Sequence, residues 1–298
     1  MSKTVALFFS DKDRYFNVKQ ALDLIKQDIV QSLENKKQII LKPNLVNEYY
    51  AYGSTHKHTL QAVIDFIQEN KIDSEIIIAE DTAVGNTWLA MYKQGYFDLE
   101  FKKPIKFKNI KFDERVKIQL FNRHLQKTLA QHVSQTLANA EYLVSLAIPK
   151  THDSVVVTLS LKNIFVGSLL EKMGRGKRTI HQGYPAINLC LAELANFVYP
   201  NLSIIDGWIS MEGQGPSHGN PVNTHFAGCS LDPLKLDLII AQIMGFKIKD
   251  IGYLEILRQR RGIDIDKIKV DSNVKNWRDK IIQFKPHPDY KKQILWQN

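Results

Sequence analysis

The chain has 298 residues and a formal net charge of +9. Its 44% hydrophobic and 24% charged residues are those of a folded globular protein, which excludes a disordered or low-complexity chain. Two cysteines, Cys190 and Cys229, exclude a disulfide scaffold, a four-cysteine zinc knot and an iron–sulfur cluster held only by cysteine.

The elements alternate along the chain. Residues 4–9 read as a strand. From Val18, apolar residues recur at Leu22, Ile25, Ile29 and Leu33, the spacing of one helix face. Ile39, Ile40 and Leu41 form a short buried strand that Pro43 ends. A helical stripe follows with Leu60, Val63, Ile64 and Ile67. The run EIIIAED has strand length and closes on Glu80 and Asp81. The Lys- and Phe-rich stretch 97–116 reads as a hairpin or irregular structure, and 124–138 as a helix. YLVSLAIPK is a strand, and VVVTLSLKN is strand-like by its β-branching. A helix near 186–198 precedes LSIID, a strand ending on Asp206. Asp232 and Pro233 open a further helix as N-cap and first turn, and Gly245 stops it.

Buried strands alternating with helices predict an α/β fold: a mainly parallel sheet with helices on both faces. Two lobes with a cleft between them remain compatible with this pattern. The expected division is an α/β domain over 1–246 and a basic C-terminal extension over 247–298 packed on it. The last 53 residues hold 13 Lys and Arg against 7 Asp and Glu. No apolar run is long enough to span a membrane, and the N-terminal VALFF is too short for a secretory leader. A cytoplasmic location is therefore expected.

In parallel sheets, ligands gather outside the carboxyl ends of the strands. The polar motifs fall there: Lys42 with Asn44, Glu80-Asp81, Lys150-Thr151-His152 and Asp206-Gly207. Residues 150–181 are densest in chemistry. His152 and Lys162 interrupt apolar surroundings, Asn163 follows, and Arg175 and Lys177 flank a Gly-rich loop suited to an anion. A solvated basic loop is the competing reading for Arg175 and Lys177. Glu212 lies in a Gly- and Pro-rich loop where, with Asp206, it could orient a histidine or a divalent metal. Thr55 precedes a helix, where it or Ser54 would cap the N-terminus and Thr55 could meet an anion. No dinucleotide, P-loop or Gly-x-Ser-x-Gly signature is present.

The segments KPNLV, STHKHTLQAVIDFI, IIIAED, LAIPKTHDSVVVTLSLKNIFVGS, IIDGWISMEGQGPSHGNPV and LDPLKLDLIIAQIMGF follow in order over residues 38–246. Together they resemble the family known as domain of unknown function 362. Many members carry ferredoxin-like cysteine motifs, which this chain lacks. A more distant likeness is to nickel-pincer lactate racemases, through His152, Lys162 ten residues on, and His181. That likeness implies Lys162 as a covalent cofactor anchor, His152 as proton mover and His181 as metal ligand. The Gly-rich stretch preceding the racemase lysine is absent.

The expected function is binding of a small anionic molecule in a cleft. His152 and Lys162 would do acid/base or covalent chemistry with Asp206, and Lys42, Asn44, Thr55, Asn163, Arg175, Lys177 and Glu212 would hold the ligand. The alternative is a non-catalytic metal or small-molecule carrier. A nucleic-acid partner is disfavoured, because the C-terminal basic residues alternate with Asp264, Asp266 and Asp271 and no recognition motif accompanies them.

Overall fold

A computed structural model describes residues 4–49, 51–170 and 176–297. The strands are β1 (Val5–Phe9), β2 (Gln38–Lys42), β3 (Glu75–Glu80), β4 (Ile105–Asn109), β5 (Arg115–Leu120), β6 (Leu129–Ser134), β7 (Leu143–Ala147), β8 (Lys150–His152), β9 (Val156–Thr158), β10 (Leu202–Glu212), β11 (Asn220–Ser230) and β12 (Val270–Ser272). Ten of them form one sheet of order β12-β1-β11-β10-β7-β2-β3-β4, with the β8–β9 hairpin attached through β10. The β10-β7-β2-β3-β4 stretch is parallel throughout, while β11 runs antiparallel to both its neighbours. The pair β5–β6 makes a separate two-stranded sheet. The fold is thus α/β with a mainly parallel mixed sheet.

Strand alternation divides the apolar side chains between two cores. Ile39, Leu41, Ile76, Ile78, Leu202 and Ile204 pack with Val18, Leu22, Leu60 and Ile64 of the helices Arg14–Leu24 and Lys57–Glu69. Ile40, Ile77 and Ile205 face the opposite core, with Leu161, Phe165, Leu191 and Ile240 of the helices Ser160–Gly167, Tyr184–Leu194 and Pro233–Ile243. Helices therefore cover both faces. The C-terminal residues join the same body: β12 pairs in parallel with β1, and Trp277 and Phe284 enter the second core. Among the described residues, no helix is long and apolar enough to cross a membrane. Both cysteines are free and buried.

Several local expectations are corrected. The stripe from Val18 is two helices, Arg14–Leu24 and Lys26–Leu33, broken at Ile25. Within 97–116, β4 is a regular edge strand beside β3. The segment 124–138 holds β6 and one helical turn, Gln135–Ala138. Leu125, Leu129, Val133 and Leu137 fit helical spacing, but pairing with β5 claims the middle of the run, and Leu125 has φ of 58° in the turn before it. The strand-like VVVTLSLKN changes type after Thr158. Asp237, on the helix packed behind, accepts the Ser160 and Leu161 backbone N–H groups and the Ser160 hydroxyl. A buried carboxylate there satisfies orphan donors and matches the helix dipole, so helix begins at Ser160. Burial pushes the Asp237 carboxyl up to about 7. Capping of Lys57–Glu69 falls to His56, whose Nδ1 accepts the His58 N–H, and not to Ser54 or Thr55.

Candidate functional site

A cavity of about 460 Å³ opens at the carboxyl ends of β2 and β3, beside the β8–β9 hairpin. Alternation places Lys42 on the Ile40 side of β2, facing the helix Ser160–Gly167. On the hairpin, Lys150 and His152 are two apart and share a face, and Thr158 pairs with Lys150 across it. Lys162 and Asn163 enter from the first turns of the helix that follows. Lys177, Arg178 and His181 complete the wall.

The four cavity lysines fall into two pairs. Lys42 Nζ is 2.8 Å from Glu80 Oε2, and Lys177 Nζ is 3.0 Å from Asp81 Oδ2. Lys150 and Lys162 form no salt bridge among the described residues. Lys150 donates to Asn44 Oδ1 and, at 2.6 Å, to the Gly53 carbonyl. Lys162 Nζ lies 2.8 Å from His152 Nε2. Asn163 ties the floor together: its amide donates to the Lys42 carbonyl and the Ser145 hydroxyl, and its Oδ1 accepts from Lys42 and Asn44.

Desolvation dominates the electrostatics, because an ion in a low-dielectric site loses its hydration. Burial lowers Lys162 to about 8. Lys150 falls to about 7 by burial and by the Lys162 charge, and His152 to about 3 for the same two reasons. Within the Lys42–Glu80 pair, burial lowers the ammonium and raises the carboxyl while each partner opposes the shift. His152 Nδ1 faces two partners of opposite kind. The Ser154 N–H donates to it at 3.0 Å, and the Asp153 carboxylate stands 3.0 Å away. Either tautomer is therefore served, so a proton can enter at one ring nitrogen and leave from the other.

Of the residues expected from the sequence, Lys42, Asn44, His152, Lys162, Asn163, Lys177 and His181 line this cavity. Three others do not. Asp206 shares its strand face with Leu202 and Ile204 and so points into the opposite core, where it pairs with Arg14 at 2.7 Å and accepts from Thr59. It is mid-strand, since β10 runs on to Glu212 past a bulge at Gly207. Glu212 accepts the Lys285 N–H and fastens the C-terminal segment. Thr55 spends its hydroxyl on the Leu146 carbonyl and the Asn44 N–H, bracing the loop behind the wall. Arg175 lies outside the described residues. Lys150, which the sequence places in a strand-end motif without a site role, also lines the cavity, as do Asp153 and Thr158. Lys150-x-His152 at a strand end was the signal available for the first.

Residues 39–242 match the family described as domain of unknown function (DUF362). The chain belongs to the DUF362 family. This DUF362 protein is 26% identical over 211 residues to the thylakoid-associated protein sll1697 of Synechocystis sp., over 70% of this chain and 63% of that one. Its fold is shared with the lactate racemase apoprotein of Thermoanaerobacterium thermosaccharolyticum, with TM-score 0.52 and 14% identity, covering 80% of this chain and 57% of that one. The DUF362 chain thus spans less than two thirds of either relative.

In this DUF362 protein Gly167 is where the helix meets the buried ion pair. A Cβ there would stand 2.4 Å from Lys42 Cε and Nζ. Gly167→Ala is expected to cost about 1–3 kcal/mol in a urea titration, because a packed lysine must move. Lys42→Met together with Glu80→Leu in the same background should recover part of that loss, since the pair then leaves no buried charge unpartnered.

Proposed function

We propose that the cavity binds a small anionic molecule and that His152 and Lys162 transfer a proton on it. The observation that carries this reading is the 2.8 Å contact between a buried lysine amine and a buried imidazole in a lysine-rich cavity at strand carboxyl ends. The pair is matched to proton transfer near neutral pH, since desolvation brings Lys162 to about 8. Fold likeness to a racemase of lactate, itself a small carboxylate, favours an enzyme of anionic metabolites over a structural role.

The resemblance to nickel-pincer enzymes raises the question of a metal. His152 is committed on both ring nitrogens. His181 is exposed at the rim, bonded through Nδ1 to Ser154, its ring centroid 6.4 Å from that of His152. Among the described residues no three His, Cys, Asp or Glu side chains group closely enough to hold a metal ion. Taken alone these side chains do not fit a protein-held metal, and the proposed chemistry is routed through none.

The test is calorimetric titration of the full chain with lactate, pyruvate, malate and phosphate, followed by incubation of the bound acid in D2O. Expected is saturable binding that Lys150→Met weakens at least about tenfold, the scale of one charge-assisted hydrogen bond. Deuterium should enter the carbon beside the carboxylate of lactate or malate, or the methyl carbon of pyruvate, and Lys162→Met should abolish that exchange. Binding with no exchange in any acid would support a carrier instead.

A further inference from the structure

We infer that Lys162 is a nucleophilic amine that condenses with the carbonyl of a small 2-oxo acid, and that Lys150 and Thr158 hold the acid's carboxylate. The inference rests on the anion-binding reading above and deepens it to a substrate class.

Three observations carry it. First, the cavity lysines are unequal. Lys42 and Lys177 are neutralised by Glu80 and Asp81, whereas Lys150 and Lys162 form no salt bridge among the described residues. An amine without a carboxylate partner loses its proton more easily, and only the neutral amine attacks a carbonyl. Second, Thr158 lines the cavity, and its Oγ1 is buried with no hydrogen-bond partner. A hydroxyl left unsatisfied in the protein is costly unless a ligand meets it. It lies opposite Lys150 in the hairpin register. Lys150 uses two of its three donors on Asn44 and Gly53, so one N–H remains for the same ligand. Third, His152 Nε2 is within hydrogen-bond reach of the attacking nitrogen.

The step balances without a further reactant. Lys162 Nζ forms a bond to the carbonyl carbon, and the carbonyl π pair moves to oxygen. His152 takes the proton lost by nitrogen and returns it to the oxygen. A second proton transfer along the same path expels water and leaves the imine. Desolvation of Lys162, which places it near 8, supplies free amine at mildly basic pH.

The experiment incubates the full chain with pyruvate and sodium cyanoborohydride, with intact-mass analysis and peptide mapping. A stoichiometric reduced pyruvyl adduct on Lys162 is expected, faster as pH rises through about 8. Lys162→Arg keeps the charge, cannot condense and should give none. Lys150→Met and Thr158→Val should leave the adduct on Lys162 but raise the pyruvate needed for half-maximal trapping, about tenfold or more for the former. An adduct spread over surface lysines, or unchanged in Lys162→Arg, overturns the inference. So does no adduct while calorimetry still shows pyruvate bound, in which case the anion-binding reading stands. No adduct together with no binding of any carboxylate overturns both.

Discussion

Glu80→Ala will lower the unfolding free energy by about 3–5 kcal/mol, the cost of stranding a buried charge. Lys42 is almost fully enclosed, at 1% exposure, and Glu80 is its only carboxylate partner among the described residues. What remains after the substitution is neutral: the Pro43 carbonyl at 3.2 Å and Asn163 Oδ1 at 3.3 Å. Gly167 passes close to the lysine tip, since a Cβ there would stand 2.4 Å from Lys42 Cε and Nζ. Lys42 can relieve the strain by giving up its proton, since burial already lowers its affinity for one. An unfolded Lys42 holds that proton up to its ordinary value of 10.5. The penalty is therefore full below the folded value and fades as pH climbs towards 10.5, because there the unfolded chain binds more protons than the folded one. Urea midpoints of wild type and variant at pH 7 and pH 9.5 check this. The double change Lys42→Met with Glu80→Leu should regain most of the loss, as an apolar pair carries no desolvation cost.

The parts of the fold that the sequence made legible are those whose cause is local. Short apolar runs locate β1, β2, β3 and β7, and the Asp232-Pro233 start with the Gly245 stop locates the helix Pro233–Ile243. The fold class followed from their alternation. Where distant contacts decide, local pattern misled. Leu129 and Val133 fit helix spacing, and only the partner β5 turns them into a strand. Ser160 begins a helix because Asp237, 77 residues on, accepts its N–H. With the Ser160 hydroxyl and Leu161 N–H bonds to the same carboxylate, this start makes Lys162 a helix residue beside His152.

The site divides in the same way. Positions just past a strand end, such as Lys42 and Asn44, were readable because every parallel strand delivers its carboxyl end to one edge of the sheet. Asp206 looked equivalent, but β10 continues beyond it and its strand face is the wrong one. Thr158 carries no sequence signal at all; its unpartnered hydroxyl is visible only once the hairpin and the helix enclose it.

The proposed chemistry depends on a proton shared between His152 and Lys162, both of them buried. A histidine held neutral by burial loses stability in acid. Folded His152 binds its proton near 3, whereas an unfolded histidine binds at 6.5. The unfolded chain therefore takes up more protons between those values, and stability falls as pH drops from 6.5 towards 3. The loss from this one group is on the order of 4 kcal/mol. Lys162→Met should move His152 upward, since a neighbouring cation is removed, but not back to 6.5, since burial is the larger cause.

The most direct measurement is a titration by nuclear magnetic resonance, following the His152 imidazole nitrogens and the Lys162 Cε on isotopically labelled full-length protein. The predicted result is a His152 that stays neutral until close to pH 3 and a Lys162 that loses its proton near pH 8. A His152 that protonates near 6.5, together with a Lys162 that stays charged up to 10.5, would contradict it.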